Sequence, residues 1–218
     1  MRSSERSMMC LLSARYRFAG RLVFVVAAMA VRTLPSLADT QAFNTPRLFA
    51  GTNGTCYARS EPKHSYGDAG RTEVYSVRSD GDQLLVSFDW YSVQLYLRCV
   101  TRIPEGGSAI SVVRRGRWPG GKKASHGNLG LAFYLNDREL ASYSTLDLAG
   151  SPGNVRSSTA HHQVIAEVLG YRWVAGQKYV FEVCTIDGRL VGFSPHTGER
   201  ESSTDRDDAR CNRWKHAR

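Results

Sequence analysis

The stretch YVFEVCTIDGRLVGF, residues 179–193, decides the fold class. Its first half, residues 179–185, is rich in β-branched and aromatic side chains, which is typical of a β-strand. Asp187-Gly188 then supplies a turn pair in which glycine adopts a positive φ at little cost. Residues 190–193 are apolar again and return the chain. The stretch therefore predicts an antiparallel hairpin.

The same pattern recurs on both sides of this hairpin. Most of the other regular segments alternate with the two-residue period of a strand, and turn pairs of the Asp-Gly or Asn-Asp kind separate several of them. These predicted strands are residues 72–78, 84–90, 94–99, 109–113, 131–135 and 139–143. Residues 164–174 also fit a helical stripe, but they contain Gly170 and lack a good helix cap, so a strand is predicted there. Regular spacing of short strands predicts an all-β domain, an antiparallel β-sandwich or barrel-like fold built from hairpins.

The N-terminus has the layout of a secretory signal peptide. A basic segment precedes LVFVVAAMAV, residues 22–31, and the small-residue site Ser36-Leu37-Ala38 follows. Ten apolar residues are too few for a membrane span, which needs about 20. We predict a signal peptide over residues 1–38, cleaved after Ala38, and hence a secreted or periplasmic protein. An uncleaved anchor or a buried N-terminal strand is the alternative.

Charge and length limit what the rest of the chain does. The formal charge of the 218 residues is +9, but residues 1–38 hold six arginines and one glutamate, so only +4 remains beyond them. This modest charge gives no support for nucleic-acid binding. Beyond the signal peptide we predict an extended entry segment (39–50), one β domain (51–198), and a charged, disordered C-terminal tail (199–218) tethered by Cys211. No transmembrane segment is expected in the mature chain.

Four cysteines remain after the signal peptide, an even number for an oxidising compartment. The predicted disulfides are Cys56–Cys99 and Cys184–Cys211, because each joins a strand to the nearest cysteine-bearing segment. The alternative is that some thiols stay free and buried. No CxxC spacing occurs, which argues against a zinc site or a redox motif.

A basic loop is the strongest candidate for ligand binding. The sequence RRGRWPGGKK, residues 114–123, combines five cations and one tryptophan with glycine and proline, and His126 follows. Such a loop can contact a polyanion through charge and stacking. The candidate ligand-binding residues are Arg114, Arg115, Arg117, Trp118, Lys122 and Lys123. The alternative is a solvated hairpin connection whose charges keep it in water.

Aromatic and histidine clusters are weaker candidates. A sugar-stacking platform could be formed by Trp90, Tyr91, Tyr96, Tyr171 and Trp173, but their shared faces favour core packing. His161-His162 cannot chelate one ion from an extended strand, because adjacent side chains point to opposite faces. A surface histidine pair is therefore expected, with no metal site and no cofactor.

The sequence thus predicts an exported, disulfide-bonded β domain that acts as a binding or envelope-associated protein. Its expected partner is a polyanion, a glycan or an envelope component. Because the chain contains no catalytic motif, the sequence favours a binding protein over an enzyme. The alternative is a secreted hydrolase whose site is assembled from dispersed residues, with Asp89, Asp147, His161, Glu167 and Glu182 as candidates.

Overall fold

The computed structural model describes residues 42–100, 109–174, 178–201 and 206–214, all within the compact unit Gln41–Arg218. The predicted signal peptide, residues 1–38, lies outside the described residues and stays a prediction. The described residues form four antiparallel sheets, and successive strands are neighbours within each sheet. The predicted all-β, antiparallel class is confirmed.

The first sheet contains four strands in chain order. These are β1 (Arg47–Ala50), β2 (Cys56–Pro62), β3 (Gly70–Ser76) and β4 (Gln83–Phe88). Gly81, in the predicted Asp-Gly turn between β3 and β4, has a φ of 119°, which favours glycine.

The second sheet follows the same plan. Its strands are β5 (Leu95–Val100), β6 (Ala109–Arg115), β7 (Leu129–Leu135) and β8 (Arg138–Ser144). Helix α1 (Thr145–Ala149) comes directly after β8, and a short hairpin of β9 (Arg156–Ser157) and β10 (His162–Gln163) follows.

The third large sheet holds the hairpin predicted over residues 179–193. It contains β11 (Ile165–Val174), β12 (Lys178–Thr185), β13 (Arg189–Phe193) and β14 (Arg206–Asp207), and the short helix α2 (Ala209–Asn212) comes after it. The predicted hairpin is therefore β12–β13. β11 is a strand, as predicted, and two register shifts interrupt its pairing with β12. These irregularities break the two-residue period and explain why its sequence also resembles a helical stripe.

The second sheet is the middle layer of a three-layer stack. Val112, Ala132 and Tyr134 belong to one hydrophobic core with residues of the first sheet. Their neighbours Val113 and Phe133 belong to a second core with residues of the third sheet. Because adjacent side chains of a strand point to opposite faces, both faces of this sheet are covered. The sandwich thus has three sheets, and β6 and β7 are apolar on both sides.

The two disulfides have the predicted pairings, and one of them connects two layers. Cys56–Cys99 joins β2 in the first sheet to β5 in the second sheet. Cys184–Cys211 joins β12 to helix α2. All four cysteines are buried, and the alternative of free thiols is therefore not supported.

Residues 206–214 of the C-terminal segment are more ordered than the expected solvated tail. They form β14 and α2. The β domain is predicted over residues 51–198, and strand β1 lies before this range and strand β14 after it. Besides the disulfide, the Arg210 guanidinium donates to the buried carboxylate of Glu182, which also accepts two hydrogen bonds from Arg172. Burial raises the pKa of Glu182, but these hydrogen bonds outweigh it and leave the pKa below its usual value. Arg210 is thus held in place because it pairs with the carboxylate of Glu182 inside the sheet.

Candidate functional site

A pocket of about 420 Å³ opens beside the basic loop. It lies where the second sheet ends and the β9–β10 hairpin approaches it. Its charged lining residues are all potential cations, and no carboxylate lines it among the described residues. These cations are Arg115, Arg117, Arg156, His161 and His162.

Close backbone packing at the end of β6 shapes this pocket. The amide of Gly116 donates to the carbonyl of Gly130, at 3.0 Å. A Cβ atom at residue 116 would lie only 1.8 Å from the carbonyl oxygen of Leu129. Glycine is therefore required where the chain leaves the sheet and turns along the pocket wall.

Arg115 is a half-buried cation whose hydrogen-bond partners are neutral. Its guanidinium donates to Oε1 of Gln94 and to the carbonyl of Ile165, each at 3.1 Å. None of the described carboxylates forms an ion pair with it. Burial lowers the pKa of Arg115 from its usual value, although arginine remains protonated in proteins. The pocket therefore contains a positive charge without a counterion among the described residues.

Arg114 and Arg117 share one carboxylate, Asp68. Nη2 of Arg114 lies 3.0 Å from Oδ2 of Asp68, and Nε of Arg117 lies 3.8 Å from Oδ1. Arg117 also donates to the carbonyl of Gly67, but its Nε is buried without a hydrogen-bond partner. Because one acid faces two arginines, the charge of this wall is only partly compensated.

Trp118 supplies a partly exposed aromatic wall. Its side chain is 48% exposed, and its ring packs edge to face with the ring of His161, with centroids 5.1 Å apart. His161 forms an isolated bridge with Gly120, which ties the loop to the β9–β10 hairpin. The indole is thus held in place while one part remains accessible.

His162 is buried, in contrast to the surface histidine pair expected from the sequence. Its Nδ1 lies 3.0 Å from the carbonyl of Gly121, so Nδ1 carries a proton and donates. Its Nε2 lies 3.0 Å from Oγ1 of Thr145, the first residue of α1. This histidine joins the basic loop to the helix.

The structure divides the predicted ligand-binding residues into two groups. Arg115, Arg117 and Trp118 line the pocket. Arg114 lies outside the lining, with its guanidinium 4.8 Å from the ring centroid of Trp90. Lys122 and Lys123 are exposed and also lie outside the lining.

The residues considered for a hydrolase are not gathered in the pocket. Among them only His161 lines it. Asp147 accepts hydrogen bonds from the amide and hydroxyl of Ser144 at the start of α1, and His126 lies beside it. Glu167 pairs with Arg213, as Glu182 does with Arg172. Asp89 is an exposed residue beyond the end of β4.

Most of the aromatic candidates belong to the cores, as the sequence favours. Tyr91 is fully buried, and Trp90 packs against the core between the first two sheets. Tyr96 and Tyr171 pack against the other core. Burial raises the pKa of Tyr171 well above its usual value. Trp173 is the exception, since its side chain is exposed.

Several pocket residues have no signal in the sequence. Arg156 and Gln163 lie on a hairpin of two-residue strands, too short to show periodicity. Asp68, which pairs with Arg117 from outside the pocket lining, lies in a distant loop and had no signal either. Helix α1 did have a signal, the capping box of Ser144 and Asp147.

Comparisons with known proteins identify no relative. No family model, no curated protein and no solved structure matches this chain. Among the described helices, none has the length and apolar character needed to cross a membrane. In the same part of the chain, no three His, Cys, Asp or Glu residues are grouped so that they could hold a metal ion.

Proposed function

We propose that this chain is an exported binding protein that takes an anionic or glycan ligand in the pocket beside residues 114–126. An envelope component carrying such a group is a partner of the same chemistry. The two disulfides within an all-β domain fit export into an oxidising compartment.

The observation that carries this proposal is the half-buried guanidinium of Arg115, which forms no ion pair with a described carboxylate. A partly desolvated cation without a counterion is costly, and an anion bound in the pocket would remove that cost. The guanidinium of Arg117, a residue that lines the same wall, adds a second cationic group. Planar guanidinium groups suit carboxylate, sulfate and phosphate groups, which they bind through paired hydrogen bonds.

The remaining lining suits the uncharged part of such a ligand. Trp118 offers an apolar face, and Ser157, Ser158 and Gln163 offer hydrogen-bonding side chains. Pockets that combine an aromatic surface with a few polar groups are typical of small-ligand sites. A sugar ring with an acidic substituent has both properties.

Replacing one pocket arginine should therefore weaken binding of anionic saccharides. We expect Arg117→Gln to reduce the affinity for a heparin tetrasaccharide by about tenfold, which corresponds to ~1.4 kcal/mol. Isothermal titration calorimetry at a fixed salt concentration measures this. Trp118→Ala, at a partly exposed position, provides a second variant that should fold and should also bind less tightly.

The double variant Lys122→Gln/Lys123→Gln is the matched control. It removes two positive charges from the same loop, outside the pocket lining, and should change the affinity less than about twofold. Equal losses in this control and in Arg117→Gln would indicate unspecific attraction to a basic surface and would contradict the proposed pocket. No binding by the unaltered protein would contradict it as well.

Export gives an independent prediction. Intact-mass spectrometry of the protein from the culture medium or periplasm should show a chain that begins at Asp39, with its four cysteines oxidised. A protein recovered from the cytosol with residues 22–31 still attached would contradict both the export and the compartment assigned to the disulfides.

A further inference from the structure

A second exposed aromatic group lies near the pocket. Phe43 and Tyr66 are 66% and 47% exposed, and their ring centroids are 5.2 Å apart. Single exposed apolar side chains are ordinary on protein surfaces, but two adjacent aromatic rings form a small apolar platform.

Asn44 fixes this aromatic pair in place. Its backbone amide donates to the carbonyl of Ser65 at 2.8 Å. Its side-chain amide donates to the carbonyls of His64 and Gly67, at 3.0 and 2.9 Å. The segment with Phe43 and the loop with Tyr66 are thus joined by three hydrogen bonds next to the rings. A platform ordered before binding loses less entropy when a ligand stacks on it.

The platform is continuous with the pocket wall through Arg117. The carbonyl of Gly67, next to Tyr66, accepts a hydrogen bond from Arg117, and Trp118 is the next residue along the chain. Asp68, with a side chain that is 44% exposed, pairs with the same arginine. A polar strip of Gly67, Asp68 and Arg117 therefore lies between the two aromatic surfaces.

We propose that the ligand is an anionic oligosaccharide that extends from the pocket, across this strip, onto Phe43 and Tyr66. The proposal rests on the proposed function and adds a second subsite to it. The acidic group of one sugar pairs with Arg115 and Arg117, and its ring packs on Trp118. A later sugar places its apolar face on the Phe43–Tyr66 platform, and hydroxyl groups between them bond to the strip.

Charge favours a saccharide over an anionic membrane as the occupant. The carboxylate of Asp68 lies between the two aromatic surfaces, where it repels a continuous layer of anionic headgroups. A sugar hydroxyl instead donates a hydrogen bond to such a carboxylate. The concave pocket also accommodates a single acidic group better than a flat lipid surface does.

The length of the saccharide is the variable that tests the second subsite. The probes are the acidic monosaccharide and the tetrasaccharide of three series, namely galacturonate, hyaluronan and heparin. Calorimetry with the full mature protein measures the affinities. For at least one series we expect the unaltered protein to bind the tetrasaccharide about tenfold more tightly than the monosaccharide. Phe43→Ala/Tyr66→Ala should remove this advantage and leave monosaccharide binding within about twofold.

Trp173→Ala is the matched control, because Trp173 is also an exposed aromatic residue. Trp173 and the pocket residue Ile165 lie near opposite ends of β11. At the rise of an extended strand they are about 25 Å apart. This variant should keep the preference for the longer saccharide.

The possible results separate the two proposals. If neither length binds in any series, the proposed function fails. If monosaccharides bind as well as tetrasaccharides, or if the double variant keeps the full length preference, the pocket stands and the second subsite is wrong. Binding to phosphatidylglycerol vesicles that depends on Phe43 and Tyr66, with saccharide binding unaffected, would also overturn the inference.

Discussion

Phe133→Ala should lower the free energy of unfolding by about 3–5 kcal/mol, the usual range for removing a buried phenyl ring. Phe133 is fully buried in β7, in the core between the second and third sheets. Its ring lies 4.9 Å from that of Phe193 and 5.9 Å from that of Phe181, measured between centroids. Because both partner rings lie on the facing sheet, the substitution leaves a cavity between two layers.

Phe43→Ala provides the matched control in the same urea denaturation experiment. It removes the same ring from a position that is 66% exposed, so we expect a loss below about 0.5 kcal/mol. Similar losses for the two variants would show that Phe133 does not lie in a close-packed interface, and would contradict the three-layer arrangement.

Removal of the Cys56–Cys99 disulfide is the second large perturbation. Cys56→Ala/Cys99→Ala should reduce the free energy of unfolding by roughly 4 kcal/mol in the chain-entropy model, for a sequence separation of 43 residues. The bond joins the first sheet to the second sheet, so its loss should affect unfolding of the whole domain. Urea denaturation of this variant and of the unaltered protein, both without a reducing agent, measures the effect.

The other disulfide supplies the comparison. Cys184→Ala/Cys211→Ala opens a separation of 27 residues, for which the same model gives roughly 3.5 kcal/mol. Because this bond attaches α2 to β12, limited proteolysis should first cut near residues 206–214, before the sheets unfold. If Cys56→Ala/Cys99→Ala unfolds at the same urea concentration as the unaltered protein, the stabilising role of the inter-sheet bond is wrong.

The fold class was predictable because its signals are local. Turn pairs such as Asp187-Gly188 and Asn136-Asp137 act within a few residues, and Asn136 does adopt a positive φ of 55°. The strand period is likewise a property of neighbouring side chains. The disulfide pairing followed from chain proximity, and the structure confirms it.

The third layer and the tail were not predictable in this way. The apolar runs in β6 and β7 were recognised as strands, but periodicity does not show what covers each face. The residues 199–210 look like a solvated segment because their composition is charged. The order of residues 206–214 depends on Glu182, a buried carboxylate of β12, and on a bond to a distant cysteine.

The candidate site was predictable only in part, for the same reason. The basic loop is continuous in sequence, so the sequence predicts Arg115, Arg117 and Trp118 together, and all three line the pocket. The sequence could not show which cations face a pocket and which pair with Asp68, because that depends on contacts between distant segments. The site residues stay a prediction until binding is measured.

The middle sheet has a consequence for how this protein can change over evolutionary time. Charged side chains are excluded from residues 109–113 of β6 and 129–135 of β7, since each face is buried against an outer layer. The buried hydroxyl of Ser111 is occupied by hydrogen bonds to Tyr171 and Pro195. Variation of the proposed site is then confined to the rims, where strands stop and loops begin. Lengthening or exchanging the loop after Arg115 could give new specificities while the stacked interior stays the same.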